Sequence, residues 1–348
     1  MKNTMSKNIF QFILLSVLIV FAFWFALKDD MKEVLINVRH VSIFWLIIVL
    51  AMGVLYYALQ GYMLYTIGKK YKHDLTYLDG LENAYCAAFF NGVTPLGGGQ
   101  VAQAYVFHKK HVSYRDIASI LWKDFFVYQS VVVVFALVLL LVFMPFCFEM
   151  FPQWIWLVYL GLIIDASVIV ILWTMSHFPA LYAKISSIFV NLLHRMHIVK
   201  NKNATLEKWN YQVHYFADEV KSLKKDKKLL IKGILINIFR QVIYYSIPFF
   251  VGIGLGIPLD MGDFILVLLL SCCIHMLNAL TPLPGDTGWT ESVFIIIFGF
   301  VFQRVYASSI MILWRMATYY IHIMIGGITF LVVKSRKKQV EVTSSTNV

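Results

Sequence analysis

The chain has 348 residues, of which 60% are hydrophobic, 16% aromatic and only 14% charged. That balance excludes a soluble enzyme and fits a polytopic membrane protein. A formal net charge of +11 would suit nucleic acid, but the basic residues sit in loops between apolar runs, which excludes that partner.

Residues 9–27 form an unbroken apolar run after Lys2 and Lys7. The run is long for a signal peptide and has no small-residue cleavage site, so it reads as a first spanning helix. A charged loop follows at 28–41. Residues 42–67 span next and end at Lys69, Lys70 and Lys72. Residues 75–91 form a helix that runs into Asn91-Gly92-Val93-Thr94-Pro95-Leu96-Gly97-Gly98. Proline removes a backbone donor and glycine weakens a helix, so this stretch breaks it. A short segment, 100–107, leads to His108-Lys109-Lys110-His111. Residues 116–143 span, a loop without basic residues runs from Pro145 to Pro152, and residues 154–174 span again.

Residues 176–230 are polar, basic and amphipathic. Leu181, Ile185, Ile188 and Leu192 recur at helical spacing, as do Leu206, Trp209, Val213, Phe216, Val220 and Leu223. Such helices lie at an interface or pack on a partner. Five lysines between 221 and 228 suit anionic headgroups. Residues 231–253 span. Residues 263–280 lead into a second break, Asn278-Ala279-Leu280-Thr281-Pro282-Leu283-Pro284-Gly285. A short segment at 289–302, a span at 306–333 and a basic tail from Lys334 complete the chain.

The two breaks share the pattern N-x-x-T-P-L-x-G. Ile120-Leu121-Trp122-Lys123 follows the first, and Ile312-Leu313-Trp314-Arg315 follows the second. Two elements in one order at nearly one offset point to an internal duplication. With the N-terminus inside, the positive-inside rule places every lysine and arginine in the cytoplasm except seven. Lys28, Lys32, Arg39 and Arg304 fall outside, and Lys123, Arg240 and Arg315 fall within spans. This requires each break to enter and leave on one side, the first from the cytoplasm and the second from outside. The expected fold is an all-α polytopic membrane protein. It has six spanning helices and two re-entrant helical hairpins in an inverted-topology repeat. Residues 1–143 make the first repeat, with its hairpin at 75–107. Residues 144–175 hold the outer loop and fourth span, and 176–230 the cytoplasmic region. Residues 231–333 form the second repeat core with its hairpin at 263–302, and 334–348 a cytoplasmic tail. A multi-pass protein of the cell membrane, with both termini cytoplasmic, is implied.

Charges inside a bilayer are costly and mark function by default. Lys123 and Arg315 occupy one repeat position, and Arg240 lies within its span. Two structural readings remain open: Lys123 snorkels to the interface beside Asp124, or Arg315 pairs internally with Asp286 or Glu291. Arginine grips phosphate through two donors, whereas lysine acts as a point charge. Helices starting near Gly99 and Thr287 would add backbone donors for an anion. The substrate-binding candidates are therefore Lys123, Arg240 and Arg315. The first break adds Asn91, Thr94, Gly98, Gln100 and Gln103. The second adds Asn278, Thr281, Gly285, Asp286 and Glu291. Asp286 suits an amine, a proton or a helix cap. Asp165 sits deep in the fourth span, while His275 and His322 read as core histidines. Cys86, Cys147, Cys272 and Cys273 read as packing residues. No motif calls for a metal, a cofactor or a catalytic set.

At these residues the chain resembles the lysylphosphatidylglycerol synthase transmembrane-region family, also called flippase-like membrane proteins. The resemblance runs over roughly residues 5–335. Its more specific part is Pro284-Gly285-Asp286-Thr287-Gly288-Trp289-Thr290-Glu291, matching Pro-Gly-x-x-Gly-x-x-Glu, followed by Arg315-Met316-Ala317-Thr318-Tyr319-Tyr320. The first break carries Gln100 and Gln103 where one common version has Glu and Arg. Longer relatives, the multiple peptide resistance factors, add a soluble domain that transfers lysine from lysyl-tRNA to phosphatidylglycerol. This chain ends fifteen residues after its last span, so that domain is expected to be absent.

The resemblance and the charges together imply a lipid translocase. Its substrate would be an anionic or aminoacylated phospholipid, or a polyprenyl-phosphate-linked lipid. One alternative is the membrane component of a phosphatidylglycerol lysyltransferase, working with a separate transferase. Others are a secondary transporter of a small anion and a scaffold for cell-envelope enzymes.

Overall fold

The computed structural model describes residues 31–94, 97–195, 201–281 and 283–345. Every regular element among them is helical. The first expected span, 9–27, lies outside the described residues. The chain runs α1 (Met31–Arg39), α2 (Ile43–Gly68), α3 (Tyr77–Val93), α4 (Gly99–Lys109) and α5 (Tyr114–Val142). It continues with α6 (Met144–Met150), α7 (Ile155–His177), α8 (Pro179–Arg195) and α9 (Lys202–Lys225). Then come α10 (Lys227–Gly254), α11 (Met261–Asn278), a 3-10 turn (Pro284–Asp286), α12 (Trp289–Gly299) and α13 (Arg304–Arg315). A π turn (Met316–Tyr320) joins α13 to α14 (Ile321–Ser345).

Six helices among the described residues are long and apolar enough to cross a membrane. They are α2, α5, α7, α10, α11 and the continuous stretch from Arg304 through Arg336. The chain is therefore a multi-pass, all-α membrane protein. Five of the six expected spans are among them, the sixth, 9–27, lying outside the described residues, and α11, expected as an arm of the second hairpin, meets the same length and apolarity. Asp260 and Asp263 form a capping box at its start, which fixes an 18-residue helix. At about 1.5 Å per residue it comes within a few ångström of a hydrocarbon core about 30 Å thick. The arms after the two breaks do not. Helices α4 and α12 have 11 residues each, well short of the roughly 20 that a span needs.

The two halves repeat one order of packing. In the first, α3 packs on α2 and α4, and α5 packs on both α2 and α4. In the second, α11 packs on α10 and α12, and α13 packs on both α10 and α12. Helix α10 is central: it packs on α2, α5, α9, α11 and α13. Small residues bring helices together. A Cβ on Gly80 of α3 would run into the Gly61 carbonyl of α2, and a Cβ on Gly61 would lie 2.7 Å from the Leu81 Cα. Such stripes let membrane helices approach by van der Waals contact.

The main apolar core lies among α10 to α13 with α5 and α7, and includes Tyr245, Phe294, Phe298 and Trp314. A second core, around Met63, Leu64, Ile67, Phe107 and Ile120, also takes in Leu223 of α9 and Leu229 of α10. Helix α9 is thus docked on the spanning helices. All four cysteines are buried and free.

Candidate functional site

Both breaks are built by the N-x-x-T pattern itself. In the first, the Asn91 Oδ1 accepts from the Gly99 amide at 2.8 Å, and the Thr94 Oγ1 accepts from the Gly98 amide at 2.8 Å. Gly97 has φ +72°, a left-handed conformation that glycine adopts without strain. In the second, the Asn278 Oδ1 accepts from the Thr290 hydroxyl at 3.0 Å. The Thr281 hydroxyl reaches the Asp286 Oδ1 at 3.3 Å. Gly285 has φ +56°, and a Cβ there would strike the Tyr319 ring. The α12 N-terminus is capped by Glu291, whose Oε2 accepts from the Gly288 amide at 2.6 Å. The amides of Gly99 and Gly288, in the stretches expected to offer free donors to an anion, are therefore taken by the chain's own side chains, as is that of Gly98. Asp286 does not cap α12.

The breaks face one another. The 3-10 turn of the second packs on α3 of the first, and the Tyr319 hydroxyl donates to the Gly92 carbonyl at 3.2 Å. Between the halves lies a cavity of about 580 Å³. Of the sequence candidates, Asn91, Gln100, Gln103 and Arg240 line it, as do Asn278, Gly285, Asp286 and Arg315. Thr94, Gly98, Thr281, Glu291 and Lys123 do not. Thr94 and Gly98 are spent on the first cap, Thr281 on Asp286, and Glu291 on Arg315.

The three buried cations have three different environments. The Arg315 Nε lies 2.9 Å from the Glu291 Oε1, and both side chains are buried. Its two terminal nitrogens sit 3.5 Å from the Gly285 carbonyl, and the guanidinium lies 4.7 Å from the Tyr319 ring centroid. Arg315 thus ties α12 and the second break together, as the internal-pair reading holds, with Glu291 rather than Asp286 as partner. The π turn that follows carries the rest of the Arg-x-x-Thr-Tyr-Tyr motif, and π turns recur at functional sites.

Lys123 points elsewhere. It pairs with Glu219 of α9 at 2.7 Å and donates to the Tyr71 hydroxyl at 2.5 Å. With Lys70 and Asp226, a second ion pair, it lines a separate pocket of about 240 Å³ under α9. Sharing a repeat position with Arg315 does not bring it to the same cavity. The next residue, Asp124, lines the cavity instead. Burial tends to raise the Glu219 carboxyl, but the hydrogen bonds from Lys123 and Tyr71 and the Lys123 charge outweigh it and hold the group below its ordinary value.

Arg240 stands on the central helix and is 2% exposed. Its guanidinium lies 4.6 Å from the Tyr56 ring and 5.2 Å from the Tyr128 ring, a cation–π sandwich. Its Nη1 donates to the buried Asn237 Oδ1 at 2.7 Å. Its Nε has no hydrogen-bond partner, and among the described residues no carboxylate lies within ion-pair distance. Asp124 lies within electrostatic reach, and its Oδ1 is likewise unpartnered.

Sequence reasoning missed Asp124 as a cavity residue, giving it only a neighbour's role beside Lys123. A second charge inside an apolar run was the available signal. It missed Tyr56, Tyr128, Gln60 and Gln241 altogether, since tyrosine and glutamine carry no motif. Among the described residues no group of His, Cys, Asp and Glu is arranged to hold a metal ion.

The family model described as the lysylphosphatidylglycerol synthase transmembrane region matches residues 9–326. The chain belongs to that family. The match covers both breaks, α9, and all three buried cations. A lipid-related role in a membrane follows from membership of the lysylphosphatidylglycerol synthase transmembrane-region family. Among curated proteins, none matches the chain.

Proposed function

We propose that the protein moves a phosphate-bearing lipid across the bilayer, with the headgroup passing through the cavity between the two halves. The observation that carries this reading is Arg240. A guanidinium buried on a central apolar helix, facing a cavity, with no carboxylate at ion-pair distance among the described residues, is costly unless a ligand completes it. A phosphate suits its planar fork. The tyrosines around it shield the charge, and the apolar faces of the spans suit acyl or prenyl tails. An inverted repeat, with the first break entered from the cytoplasm and the second from outside, would let the cavity open to either face in turn. In that arrangement both termini and α9 are cytoplasmic, with the lysines of α9 and α10 on anionic headgroups.

The wall is not the simple basic path that three cations would make. Glu291 cancels Arg315, Lys123 lies elsewhere, and Asp124 and Asp286 add two carboxylates. This favours a head that carries more than a bare phosphate. A second reading draws on the family's description: the chain is the membrane component of aminoacyl-lipid synthesis beside a separate transferase. The two carboxylates would then face an amine.

The test uses the full chain in phosphatidylcholine vesicles with fluorescently tail-labelled phosphatidylglycerol and an impermeant quencher. Wild type should expose inner-leaflet label. Arg240→Gln should fold and lose most of the rate, and Arg240→Lys should keep part of it. A full rate with Arg240→Gln, or none with wild type, sinks the reading.

A further inference from the structure

We infer that the lipid's head is rich in hydroxyls, a sugar ring or polyol attached through the phosphate; this rests on the transport reading above. The argument starts from the hydrogen-bonding groups left over on the cavity wall. Gln60, Gln100 and Gln103 line it, and among the described residues their side-chain amides bond to no protein group. Gln103 is 6% exposed, Gln60 is half-buried and Gln100 is exposed, so the row runs from the interior of the wall to its mouth. The Asp124 Oδ1 is buried and unpartnered at the same wall.

A carboxamide offers two donors on nitrogen and two lone pairs on oxygen. A phosphate only accepts, and would leave the carbonyl halves of these amides without partners. An ammonium only donates, and would leave the N–H halves without partners. A hydroxyl does both, so a row of hydroxyls satisfies a row of carboxamides. An amide half left without a partner once a head fills the cavity costs free energy, which makes the match selective.

Charge and shape agree. With Arg315 cancelled by Glu291, one phosphate answers Arg240. The carboxyl groups of Asp124, within electrostatic reach of Arg240, and of Asp286 offer acceptors for hydroxyls. Tyr57, Tyr128 and Trp314 present rings along the same wall, and aromatic faces suit the C–H face of a sugar or polyol. The cavity, about 580 Å³, falls within the roughly 300–1,000 Å³ of small-molecule sites. It has room for a phosphate and a ring together.

The experiment compares three tail-labelled lipids with matched chains in phosphatidylcholine vesicles holding the full-length protein: phosphatidylinositol, phosphatidic acid and phosphatidylethanolamine. The expected result is that phosphatidylinositol moves about tenfold faster than phosphatidic acid, the worth of one or two good hydrogen bonds. The double variant Gln60→Met, Gln103→Met removes two amides at nearly constant volume. It should bring that ratio close to one while its melting temperature and gel-filtration profile match wild type. Equal rates for phosphatidylinositol and phosphatidic acid in wild type overturn the hydroxyl-rich head and leave transport standing. Fastest movement of phosphatidylethanolamine overturns it in favour of an amine on the carboxylates. A ratio unchanged in the double variant also overturns it. Movement of none of the three overturns the transport reading, and this inference with it.

Discussion

The Arg315 Nε and the Glu291 Oε1 lie 2.9 Å apart, and neither side chain is more than 5% exposed. Glu291 also caps α12 through the Gly288 amide. One carboxylate therefore holds the short helix, the second break and the end of α13. Removing one member of a buried pair strands the other charge, at a cost of about 3–5 kcal/mol. Glu291→Gln and Arg315→Gln should each lower the melting temperature of the detergent-solubilised protein sharply. The double variant should recover much of the loss, because no charge is left stranded. Additive losses in a thermal-unfolding cycle would show that the pair does not act as a unit.

The contact between Lys123 and Glu219 is expected to weaken in acid. The Glu219 carboxyl is held below its ordinary value, so its contribution to docking α9 is full above the unfolded carboxylate pKa of about 4.3. It is lost as the pH falls through the lower, folded value. Proteolysis between α8 and α9 should be slow at neutral pH and faster in strong acid, using an acid-active protease as well as trypsin. Glu219→Gln should be cut faster at neutral pH and show little further change in acid. A cleavage rate of wild type that is flat with pH would remove the role given to the pair.

Gly80 and Gly61 set the distance between α2 and α3. Gly80→Val should separate them, because its side chain meets backbone rather than a movable side chain. The loss is expected at about 1–3 kcal/mol, as for other overpacked contacts. Gly299, whose Cβ would meet nothing within 4 Å, is the control, and Gly299→Ala should be near neutral. A Gly80→Val protein as stable as wild type would show that the helices have room to shift.

Topology is open to direct labelling. The cysteines in the described residues are all buried, so single cysteines can be added to the natural chain. An impermeant thiol reagent applied to intact cells should label Arg304→Cys and spare Lys109→Cys. After permeabilisation both should label. Labelling of both in intact cells would contradict opposite entry of the two breaks.

Much of the helical framework was legible from residue order, because its causes are short-range. Apolar runs of sufficient length define most spans, and Pro95 and Gly97 stop a helix whatever surrounds them. Asn91 and Thr94 reach amides only a few residues on, so even the function of the repeated pattern as a cap is nearly local. What each charge does was not legible. Lys123 and Arg315 stand at one repeat position, yet one meets Glu219 of α9 and the other Glu291 of α12. Arg240 meets the rings of Tyr56 and Tyr128 and, among the described residues, no acid at ion-pair distance. Those partners come from helices far apart in the chain, and a side chain within reach is set by how the helices pack. The sequence determined that charges lie inside the apolar helices, since they are written there. Only the tertiary structure decided which were neutralised and which was left facing the cavity, because a buried charge takes its partner from whichever neighbouring helix presents one.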